Sequence, residues 1–358
     1  MTYLRNAWYI AAWANEVLPG KLLARTFLDE PVVMFRDASG QPRALADRCP
    51  HRFAPLSAGQ LRDGGQSVQC GYHGLRFDGT GQCVFNPHGD GRIPKAARVR
   101  AYPLVERYSA LWIWMGEPGR ADPASIPEFE CLDPKEWAVG TGYMIVDTHY
   151  EIETDNILDL SHIEFLHPLF SSVAVSRAKI EVTSEGNTLW SKRFISDDRD
   201  APDFICEAFG VPPGTVIDRW LEVRWNAPAL MLLWVGGVAA GRPREEGRVE
   251  PSAHLFTPAS ASSTNYFYTA SFPRALGPNA EAMAQERVQQ IRGPFEHEDK
   301  PMIEAVARRM GGADLWSLNP VLLPGDAAAV RARRVLQQLV AQEQAELAKN
   351  VSTKRESA

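Results

Sequence analysis

Cys49 and His51 stand one residue apart in CPHRFAPL (49–56), and Cys70 and His73 stand two apart in CGYHGL (70–75), with 18 residues between His51 and Cys70. Thiolate and imidazole together suit zinc or iron. Pro50, Gly71 and Gly74 suit tight turns at hairpin tips, where backbone N–H groups can face a metal or a sulfide. Two tips, each giving one Cys and one His, supply a [2Fe–2S] cluster with two Cys on one iron and two His on the other. A structural Cys2His2 zinc site is an alternative, although zinc-finger spacing groups like with like whereas Cys and His alternate here. The plainest reading, buried cysteines and loop histidines without a metal, leaves the order of the four unexplained.

A second group lies in TDNILDLSHIEFLHP (154–168). On a helix of about 100° per residue, Asn156, Asp159, His162 and His167 fall within an arc of roughly 140°. Burying four polar groups unpaired costs several kcal/mol, so they need partners. Two histidines and a distant carboxylate make the facial triad of non-haem Fe(II) sites that activate O2, with positions left open. The HxxxxH spacing is not the HExxH of zinc proteases. It implies a distorted or ending turn at His167, which Pro168 supports. A hydrogen-bonded polar cluster without metal is the alternative for this helix alone. The carboxylate is sought in FEHEDKPMIEA (295–305), where Asp299 is the first candidate and Glu298 the next.

The elements that must hold these groups change character along the chain. Residues 1–117 read as short β-rich runs bounded by turn formers, among them PVVMFRD, PRALADRC, SVQCGYHGLRFD, GQCVF and ALWIWMGEP. This predicts a small antiparallel β domain. Residues 118–134 are dense in Pro and Gly and read as a linker. Residues 135–350 mix a helix over 151–170 with the strand-like runs KIEVTS, TLWSKRFI, RWLEVRWNAPALMLLWV, AHLFTP and TNYFYTASF. A helix over 279–310, interrupted at Gly293-Pro294, and a last amphipathic helix over 326–350 with an Asp N-cap signal complete the pattern. The fold class is α+β: a β domain, then a catalytic domain of antiparallel sheet covered by helices, then a flexible tail at 351–358.

A chain of 358 residues is long enough for about two domains. A net charge of −6 and the lack of a Lys/Arg stripe argue against nucleic acid. The longest apolar stretch, ALMLLWVGGVAA, is too short to span a bilayer and contains two glycines. The first residues make a poor signal peptide, and five scattered cysteines make a poor disulfide framework. The expectation is a cytoplasmic protein without membrane contact. GGVAAGRP (236–243) has Arg-Pro where a phosphate loop carries Lys-Ser/Thr, and no GxGxxG is present, so no nicotinamide site is expected.

CPHR…CGYHG followed by NILDLSHIEFLHP resembles the oxygenase component of Rieske non-haem iron aromatic oxygenases, over about residues 1–345. Within that family it is most similar to the vanillate O-demethylase, dicamba monooxygenase and toluenesulfonate methyl-monooxygenase type. NAWYIAAW, PALMLLWVGGVAAGR, HLFTP and FEHEDKPMIEA share in the likeness. The resemblance implies that Cys49, His51, Cys70 and His73 bind the Rieske [2Fe–2S] cluster. It implies that His162, His167 and Asp299 bind a mononuclear Fe(II), with Asp299 favoured over Glu298. Asp159 matches an acid that links an iron-ligand His to a Rieske His across a subunit boundary, its oxygens taking N–H groups of His162 and of a second chain's His73. Asn156 matches a polar neighbour of the iron, and His254 a substrate-contacting histidine. Trp225, Asn226, Trp234, His254 and Arg292 are candidates to line a pocket for an aromatic carboxylate or sulfonate. The chain departs from the family pattern at Phe53, where Gly is common, and at FTPAS in place of LTPET. The implied activity is O2-dependent O-demethylation, or methyl or ring hydroxylation, of a small aromatic acid such as vanillate. Electrons come from a separate NAD(P)H-dependent flavin/iron-sulfur reductase, and the assembly implied is a homotrimer. A Rieske-type electron carrier is the alternative of another class, but it needs only about the first third of the chain.

Overall fold

The computed structural model describes residues 3–168, 170 and 172–356, with side chains to residue 349. Two compact units divide the chain: residues 3–126 with 257–261, and residues 127–256 with 262–356. The division falls inside the Pro- and Gly-rich segment 118–134. That segment is more ordered than a bare linker: three 3-10 turns run through it, and Ile126, Phe129, Cys131 and Leu132 are buried.

The first unit contains β1 (Trp8–Trp13), β2 (Leu23–Phe27), β3 (Glu30–Arg36), β4 (Pro42–Ala46), β5 (Gln60–Arg62), β6 (Ser67–Gln69), β7 (Arg76–Asp78), β8 (Cys83–Phe85), β9 (Ala101–Tyr102), β10 (Leu104–Arg107) and β11 (Ala110–Trp114). They form three small antiparallel sheets, ordered β1-β11-β10, β2-β3-β4-β9 and β5-β6-β7-β8. CGYHGL is the loop between β6 and β7, and CPHRFAPL follows β4. Val33, Phe35, Leu45, Leu56, Val68 and Phe77 pack into one apolar cluster with Cys49 and Cys70. The residues that position the two tips therefore belong to the core of this unit.

The second unit holds β12 (Trp137–Val146), β13 (Lys179–Glu185), β14 (Thr188–Asp198), β15 (Ile217–Asn226), β16 (Leu230–Ala239), β17 (Arg248–Ser260) and β18 (Ser263–Pro273). Their order is β12-β18-β17-β16-β15-β14-β13: six strands in an up-and-down run, with β12 returning beside β18. The run RWLEVRWNAPALMLLWV is two strands, β15 and β16, turning at Ala227-Pro228-Ala229. Proline cannot donate to a sheet ladder, so the chain turns there. β12 lacks a strand signature in sequence because Gly140 and Gly142 dilute it. Both glycines are required by packing. A Cβ on Gly140 would lie 2.1 Å from the Ala284 carbonyl, and one on Gly142 would lie 2.2 Å from the Tyr268 ring.

Helices α1 (Tyr150–Leu158), α2 (Ile163–Leu166), α3 (Asp203–Ala208), α4 (Ala280–Pro294), α5 (Lys300–Met310) and α6 (Ala327–Glu356) complete the unit. Two departures from the sequence reading matter for the site. The segment 151–170 is not one helix: α1 ends at Leu158, Asp159 is extended (φ −116°, ψ 92°), a 3-10 turn spans Leu160–His162, and α2 follows. And the helix over 279–310 is not cut at Gly293-Pro294. It runs through Pro294 and widens into a π-turn at Phe295–Asp299. Lys300 N–H bonds back five residues to the Phe295 carbonyl, and Pro301, with no N–H, removes a competing α-helical bond. α6 begins at Ala327, just after Asp326, and its backbone is helical through Glu356, so the helix continues into the expected tail at 351–358; residues 357–358 lie outside the described ones. Arg333 of α6 locks α1 in place, meeting Asp155 at 2.7 Å and Glu151 at 2.5 Å.

Candidate metal centres

The two tips of the first unit have the same backbone frame. Cys49 N–H donates to the Ala54 carbonyl (2.9 Å) and Phe53 N–H to the Cys49 carbonyl (2.9 Å). Cys70 N–H donates to the Leu75 carbonyl (2.8 Å) and Gly74 N–H to the Cys70 carbonyl (3.1 Å). The unequal CxH and CxxH spacing thus places two histidines at different points on loops of equal length. Each loop closes on a left-handed residue, Phe53 at φ 62° and Gly74 at φ 76°. Glycine takes this conformation freely, whereas a larger residue is strained by about 1–2 kcal/mol. Phe53 is 63% exposed, with the Arg48 guanidinium 4.7 Å from its ring centre.

Cys49 and Cys70 are buried, while His51 is exposed, and the rings of His51 and His73 lie 4.5 Å apart. Without metal, burial pushes the Cys49 thiol up to about 11, the amide N–H of His51 works the other way, and Cys70 adds to the rise. Two buried thiols, that of Cys49 backed by N–H donors, with two imidazoles on the outer side, fit a cluster that takes sulfur on one iron and nitrogen on the other.

In the second unit the break after α1 and the π-turn bring distant residues together. The Nε2 atoms of His162 and His167 lie 3.6 and 3.2 Å from the two oxygens of Asp299. Ligand atoms of these three residues all fall within 4.8 Å of one another. The far side of each ring is held as well: His162 Nδ1 lies 2.8 Å from the Asp159 backbone carbonyl, and His167 Nδ1 lies 2.6 Å from Glu298 Oε2. With each Nδ1 so occupied, Nε2 is the free coordinating atom, the usual arrangement behind metal-bound histidines. Asn156 Nδ2 donates to Asp299 Oδ1 at 3.3 Å. Burial lowers the pKa of His162 despite the Asp299 charge. For His167 burial acts in the same direction, but its hydrogen bonds to Asp299 and Glu298 outweigh it and the value rises. Two neutral-capable imidazoles and one carboxylate, converging and braced from behind, fit a 2-His-1-carboxylate iron site.

Asp159 differs from its expected part. It is the backbone carbonyl, not the carboxylate, that faces His162, because the extended conformation at the helix break turns that carbonyl toward the ring. The carboxylate oxygen Oδ1 accepts from Ser161 N–H (3.0 Å) and from Arg193 (2.8 Å). A Cβ on Gly325 would lie 2.4 Å from Oδ2, so only glycine lets the chain pass there. Arg193 escaped the sequence reading, yet the alternation of β14 signals it: Leu189, Ser191, Arg193 and Ile195 share the buried face.

A cavity of about 170 Å³ opens beside His162, His167 and Asp299. Ile157, Leu221, Leu233, Val235 and Phe295 give it an apolar wall, and Arg219, Glu250, Ser252, His254 and Arg287 are among its polar residues. His254 reaches the cavity, but both ring nitrogens are engaged. Its Nε2 lies 3.2 Å from Ser252 Oγ, and its Nδ1 lies 2.7 Å from Tyr266 Oη. Ser252 gives its own proton to the Thr269 carbonyl (2.6 Å). Burial lowers His254 to about 4, so the ring is neutral, donating from Nε2 and accepting at Nδ1. Four expected lining residues are elsewhere. Asn226 sits at the β15–β16 turn, donating to Thr188 Oγ1 (2.8 Å). Trp225 is sealed in the sheet, and Trp234 stacks on Trp190 at 5.3 Å. Arg292 is exposed and paired with Glu296 at 2.8 Å. Arg219 and Glu250 were missed because charged residues on strands look solvent-facing. The period-two pattern could have found Arg219, which shares the buried face of Ile217, Leu221, Val223 and Trp225.

A small β domain with a two-Cys, two-His tip, followed by an antiparallel sheet whose helices converge two histidines and a carboxylate, is the make-up of a Rieske-type oxygenase. The sequence matches the Rieske [2Fe-2S] domain over residues 7–103 and the vanillate O-demethylase oxygenase C-terminal domain over residues 146–342. It is 38% identical to the oxygenase component of dicamba O-demethylase from Stenotrophomonas maltophilia, covering 95% of this chain and 98% of that one. It is 38% identical to the oxygenase component of chloroacetanilide N-alkylformylase from Rhizorhabdus wittichii (94% and 95%), and 32% identical to a vanillate O-demethylase oxygenase subunit of Pseudomonas sp. (95% and 96%). The crystal structure of dicamba monooxygenase bound to 3,6-dichlorosalicylic acid is similar with a TM-score of 0.88 at 36% identity, over 96% of this chain and all of that one. The chain therefore belongs to the vanillate O-demethylase family of Rieske non-haem iron oxygenases. It is an enzyme, the terminal oxygenase of a multicomponent system, with a Rieske [2Fe–2S] cluster and a mononuclear iron as its cofactors. Among the described residues no helix is long and apolar enough to cross a membrane.

Proposed function

We propose that this oxygenase removes a methyl group from, or hydroxylates, a small aromatic substrate, using O2 and electrons that a separate NAD(P)H-dependent flavin/iron-sulfur reductase delivers. In this reading Cys49, His51, Cys70 and His73 hold the cluster, and His162, His167 and Asp299 hold the iron. The observation that carries it is the convergence of His162, His167 and Asp299 on an apolar cavity. Bound there, the metals supply one-electron transfer and O2 activation. The chain's own residues do the rest. Glu298 and the Asp159 carbonyl keep the two rings aimed, and Asn156 holds Asp299 in place. The apolar wall excludes bulk water and sets a methyl group beside the metal. For an aryl methyl ether the balance is one O2, one NAD(P)H and one proton in. The phenol, formaldehyde, water and NAD(P)+ come out.

Assembly as a ring-like homotrimer, in the cytoplasm, belongs to the same proposal. It is supported by apolar surface beside each centre: Phe53 and Tyr72 are 63% and 66% exposed near the cluster tips, and Phe165 is 77% exposed between the two iron-site histidines. In such a ring Asp159 Oδ2 is the oxygen assigned to His73 of a second copy. The test is the purified holoprotein with a surrogate reductase, assayed for formaldehyde across methoxy- and methyl-arenes, vanillate included, with iron and labile sulfide counted. Iron in excess of sulfide and O2-dependent formaldehyde support the reading. Equal iron and sulfide with no turnover would make the chain a carrier.

A further inference from the structure

The cavity beside the iron site has its charges balanced from within the protein. The guanidinium of Arg219 lies 2.6 Å from the Asp198 carboxylate and 2.8 Å from the Ser172 hydroxyl. Arg287 lies 2.7 Å from Glu250. His254 is neutral, with both nitrogens engaged. Among the described lining residues, no positive group is left over to meet an anion. Arg219 Nε is a buried polar lining atom without a hydrogen-bond partner, whereas the Ser271 hydroxyl meets the Cys131 thiol. It can serve one uncharged oxygen.

An aromatic carboxylate or sulfonate entering this cavity would lose its water without gaining a counter-charge, which strongly disfavours burial. An uncharged ring would lose nothing comparable. The size agrees: a dry cavity of about 150 Å³ admits benzene, and this one, at about 170 Å³, leaves room for small substituents.

We propose that the cavity selects an uncharged substituted benzene over an aromatic acid: an aryl ether or N-alkyl anilide that presents one ether or carbonyl oxygen to Arg219 Nε. The proposal rests on the oxygenase reading above and narrows its substrate class.

The test compares two probes of nearly equal shape, 3-methoxybenzamide and 3-methoxybenzoate. Each is titrated calorimetrically into the anaerobic holoprotein at a pH where the benzoate is ionised. The amide is expected to bind at least about tenfold more tightly, the scale of an uncompensated buried charge. Glu250→Gln leaves Arg287 without its internal partner and should shrink that ratio by about tenfold. Equal or tighter binding of the benzoate by the parent protein overturns the inference, as does failure of both probes to bind. An unchanged ratio in a folded Glu250→Gln protein also overturns it; if that variant does not fold, the parent comparison decides alone. A metal-replete enzyme that prefers the benzoate and demethylates it keeps the oxygenase reading and loses only this inference. Tight amide binding with no turnover of any methoxy-arene points the failure at the oxygenase reading instead.

Discussion

The two metal centres are built in opposite ways. At the first, each tip is a local loop closed by two backbone hydrogen bonds, and 25 residues separate its first ligand, Cys49, from its last, His73 ends included. At the second, His162 and His167 lie on a broken helix and Asp299 on a π-turn more than a hundred residues later. The first presents histidine edges outward and keeps its thiols in the core. The second buries His167 and Asp299, half-buries His162, and braces both rings from behind with a backbone carbonyl or a second carboxylate. A centre made of local loops can be read from a motif. A centre made of packed helices depends on irregularities that only packing stabilises.

The largest expected effect tests the independence of the two. His162→Ala should lose the mononuclear iron and all turnover while keeping the red-brown visible spectrum of the cluster, and Cys49→Ser should do the converse. Metal analysis and absorption spectra of the two variants decide it; loss of both metals in either would show the centres to be coupled in folding. Next in size is the carboxylate pair. Asp299→Asn removes the triad's anionic ligand and should abolish turnover. Glu298→Gln keeps the triad but weakens the brace on His167, for a loss of about 10–100-fold in iron affinity, readable by competition with a chelator. Equal effects would mean that both carboxylates bind iron.

The burial contrast predicts a pH effect. The pKa of His254 falls to about 4 in the folded protein, against about 6.5 in an unfolded chain. A depressed histidine contributes stability that is fully present above pH 6.5 and is lost as pH falls toward 4, about 3 kcal/mol in all. Chemical denaturation of the metal-free protein from pH 7 to pH 4 should therefore weaken the second unit's transition, and His254→Phe should flatten that dependence. The smallest effect belongs to the first unit. Phe53→Gly relieves a left-handed backbone and should raise stability by up to about 1 kcal/mol, a few degrees in melting temperature, with the cluster spectrum unchanged. A drop in stability would show that the Arg48–Phe53 contact outweighs the strain.

The order Cys-His-Cys-His, the turn formers around it, and the strand runs that follow are all local, so the β domain and its tip were legible in the chain. So were the antiparallel sheet and the polar cluster at 156–167. β12 was not, because Gly140 and Gly142 answer to α4 and Tyr268 rather than to strand propensity. Likewise the bend at Asp159 stays hidden in the chain, since a continuous helix satisfies the same apolar pattern. Only the Arg193 and Ser161 contacts make the break stable and turn a backbone carbonyl, rather than a carboxylate, toward His162. The choice of acid is tertiary too: neighbours Glu298 and Asp299 face opposite edges of one imidazole because a π-turn carries them there. The charge of the cavity was the least legible feature. Arg219, Arg287 and their acids lie on separate elements, and whether a cation is free or already paired depends on which side chains the fold brings within hydrogen-bonding distance.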